Sequence, residues 1–152
     1  MNNIIRRTTL KVRDIKKSHI FYTEVLGMVT YYNNEVIVEN DLLPGTKKGD
    51  KIHLIIVKAQ DPIIGMIGLL QPINPKEEFQ EVNYNFEFGS SVFVAGVEDV
   101  EELYKRALEH GVKMRAPLSE TTYPGADGND VNVKSLGLYD PDGHFIECNQ
   151  RI

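Results

Sequence analysis

The sequence carries the same series of secondary-structure signals twice, and this duplication constrains the fold more than any other feature. In each copy a short alternating strand is followed by an aspartate, an amphipathic helix and a glycine. The aspartates are Asp14 and Asp99, and the glycines are Gly27 and Gly111. Aspartate is a favoured helix N-cap and glycine a favoured residue just after a helix. The two aspartates and the two glycines have nearly the same separation, so the copies align with a single gap.

Each helix is followed by strand-like stretches. Alternating or β-branched apolar residues predict strands at 8–12, 29–32, 36–39, 51–59 and 66–70 in the first copy, and at 91–97, 112–114, 131–139 and 145–148 in the second. Residues 119–132 are rich in Thr, Gly, Asn and Asp and predict a long loop, for which a binding loop and a mobile surface loop are equally open. We expect one domain, residues 1–152, with modules at about 4–72 and 89–150 joined by a linker at 73–88.

Composition excludes several classes of function. The formal net charge is -5 and the lysine pairs are isolated, which argues against a nucleic-acid-binding surface. No stretch approaches the roughly 20 apolar residues of a membrane helix, and the N-terminus lacks the apolar core of a signal peptide. Cys148 is the single cysteine, so no intrachain disulfide can form, and we expect a cytoplasmic protein.

Two segments resemble a known family. TTLKVRDIKKSHIFYTEVLGM at residues 8–28 and LYDPDGHFIEC at residues 138–148 are similar to the opening and closing segments of vicinal-oxygen-chelate proteins. That superfamily includes glyoxalase I, extradiol dioxygenases and bleomycin resistance proteins. The resemblance covers nearly the whole chain. It implies an α+β fold in which two βαβββ modules form a curved, incomplete barrel, with helices outside and a small-molecule cleft on the concave side. It also implies a homodimer.

The resemblance also implies where a metal would bind. Metal-dependent members supply four ligands from cleft-facing strand positions, and here those positions hold Arg7, Gly68, Val92 and Glu147. Only glutamate among these residues can ligate a cation, because arginine offers donors alone and the other two carry no ligand atom. Glu147 is therefore the one candidate metal ligand. A divalent ion such as Zn, Ni, Fe or Mn remains an open alternative to a protein without a cofactor.

Strand parity suggests which side chains face the cleft. Arg7, Thr9 and Lys11 are expected on the cleft side of the first strand, while Leu10 and Val12 pack under the helix. Arg7 could pair with Glu147 in place of a metal, or could bind an anionic substrate, or could simply be exposed. The candidate ligand-binding residues are mostly apolar or aromatic, as expected for a bulky organic ligand: Arg7, His53, Met66, Leu70, Val92, Tyr123 and Phe145.

Two interpretations of function remain open. In the first, the protein binds a small organic ligand without the full family metal site, as the resemblance to bleomycin resistance proteins implies. In the second, it is a divergent metal-dependent lyase, isomerase or dioxygenase whose remaining ligands come from other positions. Cys148 has the parity of a buried core residue, and Tyr123 would belong to a lid if the long loop closes over the ligand.

Overall fold

The computed structural model describes residues 3–152, which divide into two compact units, one up to Glu81 and one from Val82. The division lies within the expected linker. Each unit contains one mixed four-stranded sheet and one helix, so the α+β fold class is confirmed. Among these residues neither sheet closes on itself, since each ends in two edge strands.

The first unit has the order that the family resemblance implies, a strand, a helix and three strands. In its sheet, β1 lies parallel to β4, β4 is antiparallel to β3, and β3 is antiparallel to β2. The α-helix continues into one π-helical turn, Phe21–Val25. The elements are β1 (Arg7–Lys11), α1 (Ile15–Ile20), β2 (Val29–Ile37), β3 (Lys51–Lys58) and β4 (Met66–Asn74).

The second unit repeats this topology strand for strand. The sheet order is β5-β8-β7-β6, with β5 parallel to β8 and the remaining pairs antiparallel. The elements are β5 (Val92–Gly96), α2 (Val100–Glu109), β6 (Met114–Pro124), β7 (Asp130–Tyr139) and β8 (Phe145–Arg151). The duplication inferred from Asp14 and Asp99 is therefore a duplication of the βαβββ module.

One face of each sheet packs against the helix of its own unit. Leu10, Val57 and Leu69 are buried on that face of sheet 1, and α1 contacts β3 and β4. In sheet 2 the corresponding buried residues include Leu136 and Ile146, and α2 contacts β7 and β8. Alternation along the strands therefore leaves the other side chains of each sheet on the opposite face. We call this opposite face the helix-free face.

The start of each helix is fixed by a pair of side chains. The Asp14 carboxylate accepts hydrogen bonds from two backbone N–H groups of α1, and the Asp99 carboxylate accepts one from Glu102 of α2. These are the predicted N-caps. A glutamine on the last strand of each module supplies a second acceptor at the first helical residue. Gln71 Oε1 accepts from Ile15 N at 2.9 Å. Gln150 Oε1 accepts from Val100 N at 3.0 Å.

Two secondary-structure predictions were wrong. Residues 119–132 are not a long loop, because β6 runs to Pro124, β7 begins at Asp130, and only a short turn separates them. The run of Thr and Tyr in this segment suits an edge strand, and the Gly and Asp residues are concentrated at the turn. Similarly, 29–32 and 36–39 are not two strands, because Val29–Ile37 is continuous and paired with β3.

None of the helices formed by residues 3–152 is both long and apolar enough to cross a membrane.

Candidate ligand-binding site

The candidate site residues are the seven candidate ligand-binding residues and Glu147. The strand registers place six of these eight on helix-free faces. In sheet 1, Arg7 pairs with Met66, Thr9 with Gly68, and Lys11 with Leu70. Paired residues on parallel neighbours point to the same side of a sheet, opposite the buried Leu10 and Leu69. In sheet 2 the corresponding pairs are Val92 with Phe145 and Val94 with Glu147. These pairings confirm the face assignments predicted from strand parity.

Gly68 stands at one of the positions that the family resemblance implies for a metal ligand, and its side-chain space is already filled. A Cβ atom added there would lie 2.8 Å from Thr9 Oγ1 and 3.1 Å from Arg7 Cδ. Both distances are shorter than ordinary van der Waals contact. The aliphatic stem of Arg7 therefore lies across the backbone of Gly68, and a longer residue at position 68 would have to displace it.

Met66 and Leu70 flank Gly68 on the same face of β4. Leu70 is buried and Met66 is half-buried, while Ile56 on β3 pairs with Gly68 and is also buried. Arg7 and Thr9 are exposed above these side chains. This part of the face thus combines an apolar floor with an exposed guanidinium and hydroxyl.

His53 is separated from these residues. It pairs with Gln71 across β3 and β4, and Gln71 reaches the start of α1. His53 is therefore on the helix side of sheet 1, whereas the next residue, Leu54, pairs with Leu70 and lies on the helix-free face. Its Nε2 lies 2.6 Å from Asn33 Oδ1 on β2. The register takes His53 away from Arg7, Met66 and Leu70, so we do not include it in the site proposed below.

Glu147 is half-buried on the helix-free face of sheet 2 and belongs to a short polar chain. Asn149 Nδ2 donates to Glu147 Oε1 at 2.9 Å, and Ser135 Oγ donates to Asn149 Oδ1 at 2.6 Å. Within residues 3–152 the bond from Asn149 is the single hydrogen bond of the Glu147 carboxylate. Val94, its strand neighbour on β5, is exposed and apolar.

Aromatic rings continue this face beyond Glu147. The rings of Tyr139 and Phe145 have centroids 5.5 Å apart, and Tyr84 contacts Tyr139 edge-on at 5.1 Å. The Lys113 ammonium lies 4.1 Å from the centroid of the Tyr84 ring, which is a cation-π contact. Gly137 leaves room for Phe145, because a Cβ at Gly137 would lie 2.9 Å from its ring.

A groove of about 760 Å³ lies at the hairpin end of sheet 2. Tyr123 contributes to its wall and is 42% exposed. Tyr123 is thus part of a strand wall and not of a mobile lid, contrary to the expectation from a long loop. The remaining lining combines apolar and polar residues, and includes Val94, Val131, Val133, Asn149 and Arg151.

Cys148 lies on the opposite side of β8 from Glu147 and is fully buried. Burial, with a smaller effect from the Glu147 charge, raises the pKa of the Cys148 thiol to about 12. The thiolate is the nucleophilic and metal-binding form of cysteine, so this side chain is an inert part of the core, as predicted.

Comparison with known proteins agrees with this architecture. The family model of the Glyoxalase/Bleomycin resistance protein/Dioxygenase superfamily matches residues 4–148. The chain belongs to this superfamily. A search of curated protein sequences finds no match.

Solved structures of other proteins show the same fold. A glyoxalase family protein from Bacillus cereus has a TM-score of 0.73 at 14% identity, over 99% of this chain and 97% of that one. The trypanothione-dependent glyoxalase I of Leishmania major has a TM-score of 0.61 at 22% identity, with 98% and 87% covered. An antibiotic-binding protein from a Streptomyces species has a TM-score of 0.60 at 18% identity, with 99% and 98% covered. At these identities the likeness shows the fold alone.

The residues at the four family positions do not fit a four-ligand metal site. Arg7 provides only hydrogen-bond donors, and Gly68 and Val92 provide no ligand atom. In the part of the chain that the structure describes, no group of three His, Cys, Asp or Glu side chains could hold a metal ion. We therefore assign no chemical step to a metal.

Some neighbours of the predicted residues were missed by the sequence analysis. Asn149 donates a hydrogen bond to the Glu147 carboxylate, Ser135 donates one to Asn149, and Tyr84 extends the aromatic group. Asn149 follows Glu147 at the strand period of two, so parity could have indicated it. Ser135 and Tyr84 are distant in sequence, and only the β7–β8 register and the path of the chain before β5 bring them close.

Proposed function

We propose that this protein binds a small organic ligand on the helix-free faces of its sheets, without the full metal site of its enzymatic relatives. The observation that carries the proposal is the environment of Gly68. The stem of Arg7 and the hydroxyl of Thr9 occupy the space in which the side chain of a metal-ligating residue at position 68 would begin. The Arg7 and Thr9 side chains therefore fill this part of the helix-free face, and a bound molecule would contact them.

The groove in sheet 2 supports a binding role. Its volume of about 760 Å³ falls within the roughly 300–1,000 Å³ of typical small-molecule pockets. Val94, Val131 and Val133 give it an apolar base, and Tyr123 adds an aromatic wall with a hydroxyl. Such a lining favours a molecule with an apolar or aromatic body and few polar groups.

The similarity to an antibiotic-binding protein is consistent with binding in place of catalysis, although fold alone does not define function. The proposal includes a homodimer, which the family resemblance implies. It also includes a cytoplasmic location, because a chain whose one cysteine is buried and unpaired suits a reducing compartment.

The second candidate is a divergent metal-dependent lyase, isomerase or dioxygenase. The observation in its favour is Glu147, a half-buried carboxylate at a family ligand position that Asn149 orients through one hydrogen bond. A carboxylate oriented in this way is suited to ligate a cation, with further ligands from substrate or water.

Metal analysis and dye binding separate the two candidates. Purified full-length protein would be analysed for bound metal, titrated calorimetrically with Zn, Ni, Mn and Fe(II), and titrated with the fluorescent apolar dye N-phenylnaphthylamine. We expect saturable dye binding and no stoichiometric metal. Tight binding of one equivalent of metal that is lost in Glu147→Gln, but kept in the exposed-site control Glu109→Gln, would support the enzyme. Absence of dye binding would count against the binding role.

A further inference from the structure

The unpaired donors at one end of sheet 1 indicate the chemical class of the ligand. Lys11, on the same face as Arg7, forms a salt bridge with Glu77 at 2.5 Å. Arg13, just beyond β1, donates to the backbone carbonyl oxygens of Gln80 and Glu81. By contrast, the Arg7 guanidinium and the Thr9 hydroxyl have no hydrogen-bond or ion-pair partner among residues 3–152.

The position of Arg7 is set by its neighbours. Because Gly68 has no side chain, the Arg7 stem packs against the sheet, with its Cδ 3.1 Å from where a Cβ would be. Thr9 Oγ1 lies 2.8 Å from the same point. The Arg7 stem and the Thr9 hydroxyl thus meet over one glycine, on the same face of the sheet.

The surroundings of these donors are apolar and contain no competing acid on the same strands. Met66 and Leu70 flank Gly68 on β4, and Ile56 pairs with it on β3. A guanidinium can bind two oxygens of one carboxylate or tetrahedral oxyanion at the same time, a two-pronged geometry that an ammonium cannot reproduce. An apolar body attached to the oxyanion would bury its surface on the neighbouring side chains.

We infer that Arg7 and Thr9 bind the oxyanion of the ligand, a carboxylate or sulfonate carried on an apolar body, with Gly68 as the flat floor of the site. This inference rests on the proposed ligand-binding function and adds the ligand's charge. The duplicated module gives a contrast. In the second module, Val92 and Val94 stand at the positions of Arg7 and Thr9, and Glu147 stands at the position of Gly68. These three side chains offer an oxyanion no hydrogen-bond donor.

Two dyes that share one aromatic body test this inference. Anilinonaphthalene sulfonate carries a sulfonate on the N-phenylnaphthylamine framework, and N-phenylnaphthylamine itself is uncharged. Both would be titrated into the folded full-length protein and its variants by fluorescence at fixed ionic strength. Arg7→Met removes the charge while keeping a long side chain. Arg6→Met removes the same charge from the preceding exposed residue and is the matched control.

We expect Arg7→Met to weaken sulfonate binding about tenfold, the size of one charge-assisted hydrogen bond at a partly exposed site, with little change for the neutral dye. Arg7→Lys should restore only part of the affinity, because the two-pronged geometry is lost. Gly68→Ala should also weaken sulfonate binding, because its methyl group displaces Arg7 or Thr9. Arg6→Met should bind both dyes as the unmodified protein does.

NMR titration gives an independent readout of location. On addition of the sulfonate, the backbone amides of Thr9 and Gly68 should shift, and these shifts should be lost in Arg7→Met. Equal affinity of Arg7→Met and Arg6→Met for the sulfonate, or unmoved Thr9 and Gly68 amides, would overturn the inference while leaving the binding function in place. If the neutral dye binds and the sulfonate does not, the oxyanion inference fails and the proposed binding function stands. If neither dye binds, the proposed function fails with it.

Discussion

The two glutamines that join the last strand of each module to its helix provide a quantitative test of the duplicated architecture. Gln71 and Gln150 each accept a hydrogen bond from the first N–H of the helix, at 2.9 and 3.0 Å. The donors belong to Ile15 and Val100, whose residues are 4% and 0% exposed. Loss of the acceptor therefore leaves a backbone N–H without a partner at a poorly hydrated position.

We expect Gln150→Met to lower the free energy of unfolding by about 1–2 kcal/mol, the cost of one unsatisfied buried donor. Methionine keeps the length of the side chain, so packing changes little. For a chain of this size the change corresponds to a decrease of about 2–8 °C in the midpoint of thermal unfolding. Gln71→Met should have a similar effect, since the geometry is the same. Gln150→Glu retains an acceptor beside the positive end of the helix dipole and should stay close to the unmodified protein.

Urea unfolding monitored by circular dichroism measures these differences. Gln80→Met is the control, because the Gln80 side chain is exposed and only its backbone carbonyl takes part in a described hydrogen bond. If Gln150→Met and Gln71→Met unfold at the same urea concentration as Gln80→Met, the strand-to-helix bonds do not contribute to stability, and the reasoning is refuted.

Three further predictions concern the core, a turn and the groove. Gly143→Ala should cost about 1 kcal/mol or more of stability beyond Gly111→Ala in urea unfolding, because both glycines have positive φ (92° and 62°) but only a Cβ at Gly143 would collide with the backbone oxygen of Asn83. Burial raises the pKa of Cys148 from 9.0 to about 12, so the stability it confers is fully present below about pH 8.5 and declines as the pH rises toward 12; Cys148→Ala should show a smaller decline. Val94→Trp should fill the sheet 2 groove and lower the number of N-phenylnaphthylamine molecules bound, whereas the exposed helix variant Leu108→Trp should not; equal stoichiometries would argue against the groove as a dye site.

Several features of the fold could be predicted from the sequence because they depend on local physical chemistry. The N-caps at Asp14 and Asp99 and the terminating glycines at Gly27 and Gly111 act within one helical turn, so they mark the helices directly. Strand alternation assigned Leu10 and its neighbours to the correct faces for the same reason. The hairpin around residues 119–132 was mistaken for a loop because its strand β6 is an exposed edge, and polar edge strands lack the apolar alternation of core strands.

The sequence by itself determined the duplicated module and the identities at the family's ligand positions, including Arg7 and Gly68. Only the tertiary structure decided how those residues are used. The β1–β4 register brought the Arg7 stem and the Thr9 hydroxyl together over Gly68, and the β3–β4 register moved His53 to the helix side. Register depends on pairing between distant strands, and a shift of one residue exchanges the two faces, so no local pattern could have fixed it.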